Sequence, residues 1–164
     1  MYPREGDAVP GNRLAEIFTR ASTVGIREAI IEAFQHLDSN LRIVFATIAF
    51  GMGLDIPDIQ QVLHLGSSSE IGDYAQEVGR GGRNGQPCKA IIIQRSNRHA
   101  SETMVSYLKN TSKCRRMFLY TQFIGGKDLS PVQPLCACCD ICARQCECGN
   151  CHHSVFRDAK FLYP

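Results

Sequence analysis

Residues 42–93 read RIVFATIAFGMGLDIPDIQQVLHLGSSSEIGDYAQEVGRGGRNGQPCKAIII. Three short runs in this stretch are apolar and rich in β-branched residues: Arg42–Ala46 (RIVFA), Gln61–Leu65 (QVLHL) and Ala90–Ile93 (AIII). Such runs, bounded by turn residues, are the signature of buried parallel strands. Between the last two, Ile71, Tyr74, Ala75 and Val78 recur at helical spacing. Strand and helix therefore alternate, which predicts an α/β fold with a parallel sheet.

Working outward, Ala15–Thr19 reads as a further short strand. Ser22 or Thr23 is placed to cap a helix reaching about Leu37, with Ile26, Ile30, Phe34 and Leu37 on one stripe. Asp38-Ser39-Asn40 is turn chemistry, and residues 1–13 read as a loop. After Gln94 the pattern turns helical. Ala100, Met104, Tyr107 and Leu108 share one stripe, and a second helix is expected from about Ser112 to Phe123. A Gly/Pro loop, IGGKDLSPVQPL, leads into a cysteine cluster. The expected organisation is an α/β part over 1–95, a helical part with a cysteine loop over 96–145, and a Cys/His-rich tail over 146–164.

The chain has 164 residues, 44% hydrophobic and 21% charged, which suits one domain or one domain with a small appendage. These values exclude a disordered tail, a collagen-like chain and a coiled coil. No apolar run approaches the roughly 20 residues of a membrane helix. The opening MYPREGDAVP lacks the apolar core of a secretory signal. The net charge of +2 is unevenly spread: residues 1–88 carry net −4, residues 89–127 net +7 and residues 128–164 net −1. A basic block of this kind suits an anionic partner, and equally a solvated helix face.

Two segments in the α/β part combine glycines with chemistry-bearing side chains. In ATIAFGMGLDIPDI (46–59) a strand runs into Thr47, a Gly-Met-Gly turn containing Gly53, and Asp55. Glycines here let backbone N–H groups approach a phosphate closely. Thr47 is placed to contact a phosphate and Asp55 to position a ligand or an arginine. Alone, the pattern serves tight-turn packing equally well. In DYAQEVGRGGRNG (73–85), Gln76, Arg80 and Arg83 fall on one face if a helix persists through them. Two always-charged guanidinium groups beside a Gly-Gly are suited to stabilising charge on a transferring phosphoryl group; a solvated Arg-Gly loop is the plainer alternative. His36 and His64 read as structural, and no nucleophile–base pair is visible.

Nine cysteines are present, seven of them between 136 and 151, and the first 87 residues have none. Disulfide scaffolds spread cysteines through the chain, so this cluster reads as metal ligands in a reducing compartment. Cys136-x-x-Cys139-x-x-Cys142 together with Cys114 supplies four thiolates for a closed, structural Zn²⁺ site. Cys138 reads as a bystander. Cys146-x-Cys148-x-x-Cys151-His152-His153 reads as either a second site or a tail with free thiols.

Taken together and in this order, the segments resemble the RecQ family of ATP-dependent DNA helicases. ATIAFGMGLDIPDI resembles that family's motif V and DYAQEVGRGGRNG its motif VI. CRRMFLYTQF followed by CACCDIC resembles its zinc-binding subdomain, with Cys114, Cys136, Cys139 and Cys142 at the ligand positions. The resemblance spans about Ile17 to Cys142. It implies that residues to about 95 form part of the second RecA-like motor lobe, incomplete at its N-terminus. A helical zinc platform that helps hold DNA follows. It further implies that Arg83 is an arginine finger for ATP, with Arg80 and Gln76 its companions, and that Thr47, Gly53 and Asp55 couple nucleotide to DNA. The sequence contains no G-x-x-x-x-G-K-[ST] loop and no D-E-x-H box. ATP and Mg²⁺ are therefore expected to be held mainly by a first lobe outside these residues, and the chain alone is expected to be inactive as an ATPase. Val78 and Asn84 depart from the family's usual Thr and Asp, and the change at 84 puts local salt bridging in question. The expected partners are single-stranded and branched DNA and that first lobe, with no membrane. The expected setting is DNA repair and recombination, in the nucleus if the source is eukaryotic. The alternative expectation is a non-catalytic zinc module that binds DNA or a helicase.

Overall fold

The computed structural model describes residues 12–36, 38–47, 56, 58–93, 99–124, 129–149 and 151. It divides into two compact units, one of residues 1–65 and 76–93, the other of residues 66–75 and 94–164.

In the first unit, β1 (Ala15–Phe18) and β2 (Ile43–Ala46) pair in parallel, Ala15 opposite Ile43 and Phe18 opposite Ala46. The connection is α1 (Val24–Gln35). Thr23 begins it, its hydroxyl accepting from the Ile26 amide at 3.4 Å, and so satisfies one of the orphan donors of the first turn. Ile30 of α1 is buried against Phe18 and Leu41, with Phe34 and Val44 packed around them. The helix stops at Gln35, short of the expected Leu37, and the His36 amide closes it on the Glu32 carbonyl at 3.2 Å. Leu37 itself lies outside the described residues.

A second parallel pair is formed by β3 (Gln61–Leu65) and β4 (Lys89–Ile93), with Leu63 opposite Ile91 and Leu65 opposite Ile93. Between them in the chain lies α2 (Ile71–Val78). The α/β expectation holds, with a correction to burial. The strands are not covered on both sides: Ile17 is 63% exposed, Phe45 54%, Leu63 56% and Leu65 69%. Because strand side chains alternate, covering one face of β3 leaves Gln61, Leu63 and Leu65 in water while Val62 and His64 are half-buried.

The second unit is built on α3 (Glu102–Lys109) and α4 (Arg115–Ile124). Ser101 caps α3 by accepting from the Met104 amide at 3.4 Å. Met104 and Tyr107 are buried. The Tyr107 ring lies 5.4 Å from Tyr74 and, edge-on, 5.6 Å from Phe118. The second helix begins three residues later than its spacing predicts. Asn110 uses its side-chain oxygen to accept from the amides of Ser112 (3.3 Å) and Lys113 (3.0 Å), which makes a turn of those residues instead. Cys114 therefore sits at the mouth of α4, its carbonyl accepting from the Phe118 amide. A 3₁₀ turn, Leu135–Ala137, and α5 (Asp140–Arg144) follow. Among the described residues no helix is long and apolar enough to cross a membrane.

Candidate metal centre and arginine turn

The cysteine loop folds back onto the start of α4, and the burial of its short helix explains why. Ile141, Cys142 and Ala143 of α5 are buried, and Cys139, Ile141 and Cys142 form a small core with Cys114, Leu135 and Cys138 packed against it. The sulfurs of Cys114, Cys138, Cys139 and Cys142 all lie within 4.8 Å of one another. Cys114 and Cys138 are 3.5 Å apart. A tetrahedral Zn–S₄ centre with bonds of about 2.3 Å requires sulfur–sulfur edges of about 3.8 Å, so this donor set fits the ion. Burial pushes the Cys142 thiol well up, and the Cys139 and Cys114 sulfurs push it further; burial also raises Cys138, whereas at Cys114 hydrogen bonds outweigh burial and lower the thiol.

The surroundings orient the centre. The Cys139 sulfur caps α5 by accepting from the Cys142 amide at 3.5 Å, and it also accepts from the Arg115 amide at 3.5 Å. Arg115 in turn grips Asp140, Nε to Oδ1 at 2.6 Å and Nη2 to Oδ2 at 3.1 Å, and Nη1 donates to the Tyr107 carbonyl at 2.9 Å. Residues beside two of the sulfurs are thus joined by a two-pronged ion pair, the kind of outer support that fixes ligand geometry.

Of the four cysteines that spacing selects, the structure gathers Cys114, Cys139 and Cys142. It sets Cys138 beside them, and places Cys136 in a second group with Cys146, Cys148 and Cys151. The reason is local. The 3₁₀ turn advances about 120° per residue, so Cys136 and Cys138 leave the backbone on different sides. A C-x-x-C rule counts residues and misses this rotation.

In the first unit, α2 ends at Val78, so Gln76, Arg80 and Arg83 do not share a continuous helical face. Gln76 stays on the helix and is exposed, while both arginines ride on a glycine turn. The turn is held by Gly81 N–H to the Val78 carbonyl (3.1 Å), Gly82 N–H to the Ile59 carbonyl (3.0 Å) and Gly85 N–H to the Gly82 carbonyl (3.0 Å). Gly82 has φ +70°, and a Cβ there would stand 2.7 Å from the Gln86 carbonyl oxygen. Neither condition tolerates a side chain. Arg83 is exposed; Arg80 is half-buried, and its Nε is buried without a hydrogen-bond partner among the described residues. Asn84 donates to Asp58 at 3.2 Å, and its side-chain oxygen accepts from the Gln86 amide at 3.0 Å. His64 pairs with Glu77 at 2.8 Å, tying β3 to α2.

Thr47 is exposed just beyond β2, its amide donating to the Phe18 carbonyl at 3.4 Å. Gly53 and Asp55 lie outside the described residues.

Comparison with known proteins agrees in order with this layout. Residues 15–85 match the helicase conserved C-terminal domain, and residues 88–143 match the RecQ zinc-binding family. The RecQ-like DNA helicase blm-1 of Caenorhabditis elegans is 29% identical over 153 residues, covering 80% of this chain and 15% of that protein. The ATP-dependent DNA helicase Q4 of Homo sapiens is 44% identical over 91 residues, covering 56% of this chain and 7% of that protein. The ATP-dependent DNA helicase Q4 of Mus musculus is 34% identical over 125 residues, covering 69% and 10%. The chain thus spans less than a fifth of the length of each of these relatives. The zinc-binding match and the gathered sulfurs together support zinc as the metal.

Proposed function

Because the chain belongs to the RecQ family of DNA helicases, we propose that it supplies the arginine-bearing half and the zinc-clasped support of an ATP-driven 3′–5′ DNA-unwinding motor. Arg83 acts as the finger on the transferring phosphoryl group, with Arg80 and Gln76 beside it. Thr47, Gly53 and Asp55 couple the nucleotide to DNA. ATP and Mg²⁺ bind mainly on a first motor lobe that is a partner of these residues, and the chain alone hydrolyses no ATP. The Zn²⁺ held by the tetrad that includes Cys114, Cys139 and Cys142 is structural. DNA, single-stranded or branched, lies against the basic block 89–127, and the setting is repair and recombination, in the nucleus if the source is eukaryotic.

The observation that carries the reading is the glycine turn. It is built from backbone hydrogen bonds, it excludes a side chain at Gly82, and it bears two arginines three residues apart. Phosphoryl transfer asks for positioned guanidinium charge and little covalent chemistry, which such a turn provides. The test uses the purified 164 residues with labelled single-stranded DNA and ATP. Binding that weakens steeply with salt, without ATP turnover, is the expected result. DNA-stimulated hydrolysis by this chain alone would overturn the division of labour between lobes.

A further inference from the structure

Four cysteines remain outside the zinc centre described above, apart from Cys88. The sulfurs of Cys136, Cys146, Cys148 and Cys151 lie within 4.8 Å of one another. Cys136 and Cys148 are 3.7 Å apart, and Cys148 and Cys151 are 3.3 Å apart. These separations are far longer than a disulfide bond of about 2.05 Å. They are close to the roughly 3.8 Å edge of a tetrahedral Zn–S₄ site. The backbone is shaped for the purpose. Cys146 lies two residues past the end of α5 and is buried, while Gly149, at φ +73°, bends the chain between Cys148 and Cys151. Three of the four residues lie beyond residue 143, where the match to the RecQ zinc-binding family ends.

The geometry points to a second structural Zn²⁺ site in this chain, with Cys136, Cys146, Cys148 and Cys151 as its four ligands. It goes beyond the helicase reading and does not depend on it. The two tetrads interleave along the sequence. Cys136 serves the second, Cys138 and Cys139 the first, Cys142 the first, and Cys146 onward the second. Binding at the second site closes the chain from Cys151 back to Cys136, and so straps the exit of α5 against its entrance. Each thiol that ligates gives up its proton to solvent as the ion binds.

The experiment is metal counting on the full chain, purified reduced, by elemental analysis and by Co²⁺ substitution. The expected content is two ions per chain, falling to one in Cys148→Ser with the tetrahedral Co²⁺–thiolate absorption halved. Cys142→Ser removes the other ion. The critical variant is the triple Cys146→Ser/Cys148→Ser/Cys151→Ser, which keeps one ion. Adding Cys136→Ser to it leaves that ion in place, and adding Cys138→Ser removes it. One ion in the unmodified chain, unchanged by Cys148→Ser, would overturn the proposal while leaving the helicase reading intact. So would loss of the last ion on adding Cys136→Ser, which would give Cys136 to the first tetrad.

Discussion

Arg115 holds Asp140 by two parallel hydrogen bonds, 2.6 Å from Nε and 3.1 Å from Nη2, across 25 residues of chain. Each partner is the immediate neighbour of a sulfur of the first tetrad, Cys114 and Cys139. Asp140 is only 5% exposed, and its second cation, Arg144, stands farther off at 3.6 Å. Burial disfavours the Arg115 charge, but the hydrogen bond and charge of Asp140 outweigh it and raise the guanidinium pKa further.

Replacing Asp140 by Asn leaves a largely buried guanidinium without its counter-charge. Removing one partner of such a pair costs about 3 kcal/mol. Thermal unfolding of Asp140→Asn should show that loss, and zinc should pass to a chelator faster than from the unmodified chain. Arg115→Lys keeps the charge but not the fork, and should show a smaller loss of both kinds. Unchanged melting and zinc transfer in Asp140→Asn would reduce the pair to a surface contact.

Gly82→Ala forces a side chain into left-handed backbone and against the Gln86 carbonyl oxygen. The expected cost is about 1–3 kcal/mol, read by denaturant unfolding. In a reconstituted motor the same variant should lower turnover, since the turn it distorts carries Arg80 and Arg83. A variant as stable as the parent would mean that the turn relaxes freely.

Asn84→Asp sets a second carboxylate against Asp58 and removes the amide donor. The new group's folded-state pKa is then raised above its unfolded value near 4. A raised pKa stabilises the fold below the unfolded value, and that contribution is lost as pH rises through the folded value. The variant should therefore match the parent at acidic pH and fall behind at neutral pH, by about half a kcal/mol for so exposed a pair. High salt should close the gap. Parallel stability–pH curves for the two proteins would refute the contact.

Arg83→Ala in a reconstituted motor should reduce turnover by a factor of about 10³ or more, with ATP affinity little changed, because a finger acts on the transition state. Equal losses in turnover and affinity would instead assign Arg83 a ground-state binding role.

Among the described residues, every β-strand and all but the last of the helices were legible as segments in the sequence, because alternation of β-branched runs with helical stripes is a local signal. What escaped was set by contacts between segments. Burial of the strands depends on what lies against each face, so RIVFA looked fully interior although Ile43 and Phe45 are exposed. The late start of α4 came from one Asn110 side chain competing for backbone amides. Spacing and the sulfur grouping agree in setting Cys114, Cys139 and Cys142 together, and differ in the fourth member, Cys136 by spacing and Cys138 by proximity, which the 3₁₀ turn carries to different sides of the backbone. The partnership of Asn84 with Asp58 crosses 26 residues and leaves no periodic trace.

The bare side of the paired strands has its own physical corollary. Ile17 stands opposite Phe45, and Leu65 opposite Ile93, each more than two-fifths wetted. Shielding one such side chain from water is worth about 1.5–3 kcal/mol. The isolated polypeptide is therefore an adhesive solute. Its light scattering should climb with concentration, and lysines written in at Ile17 and Leu65 should quiet it.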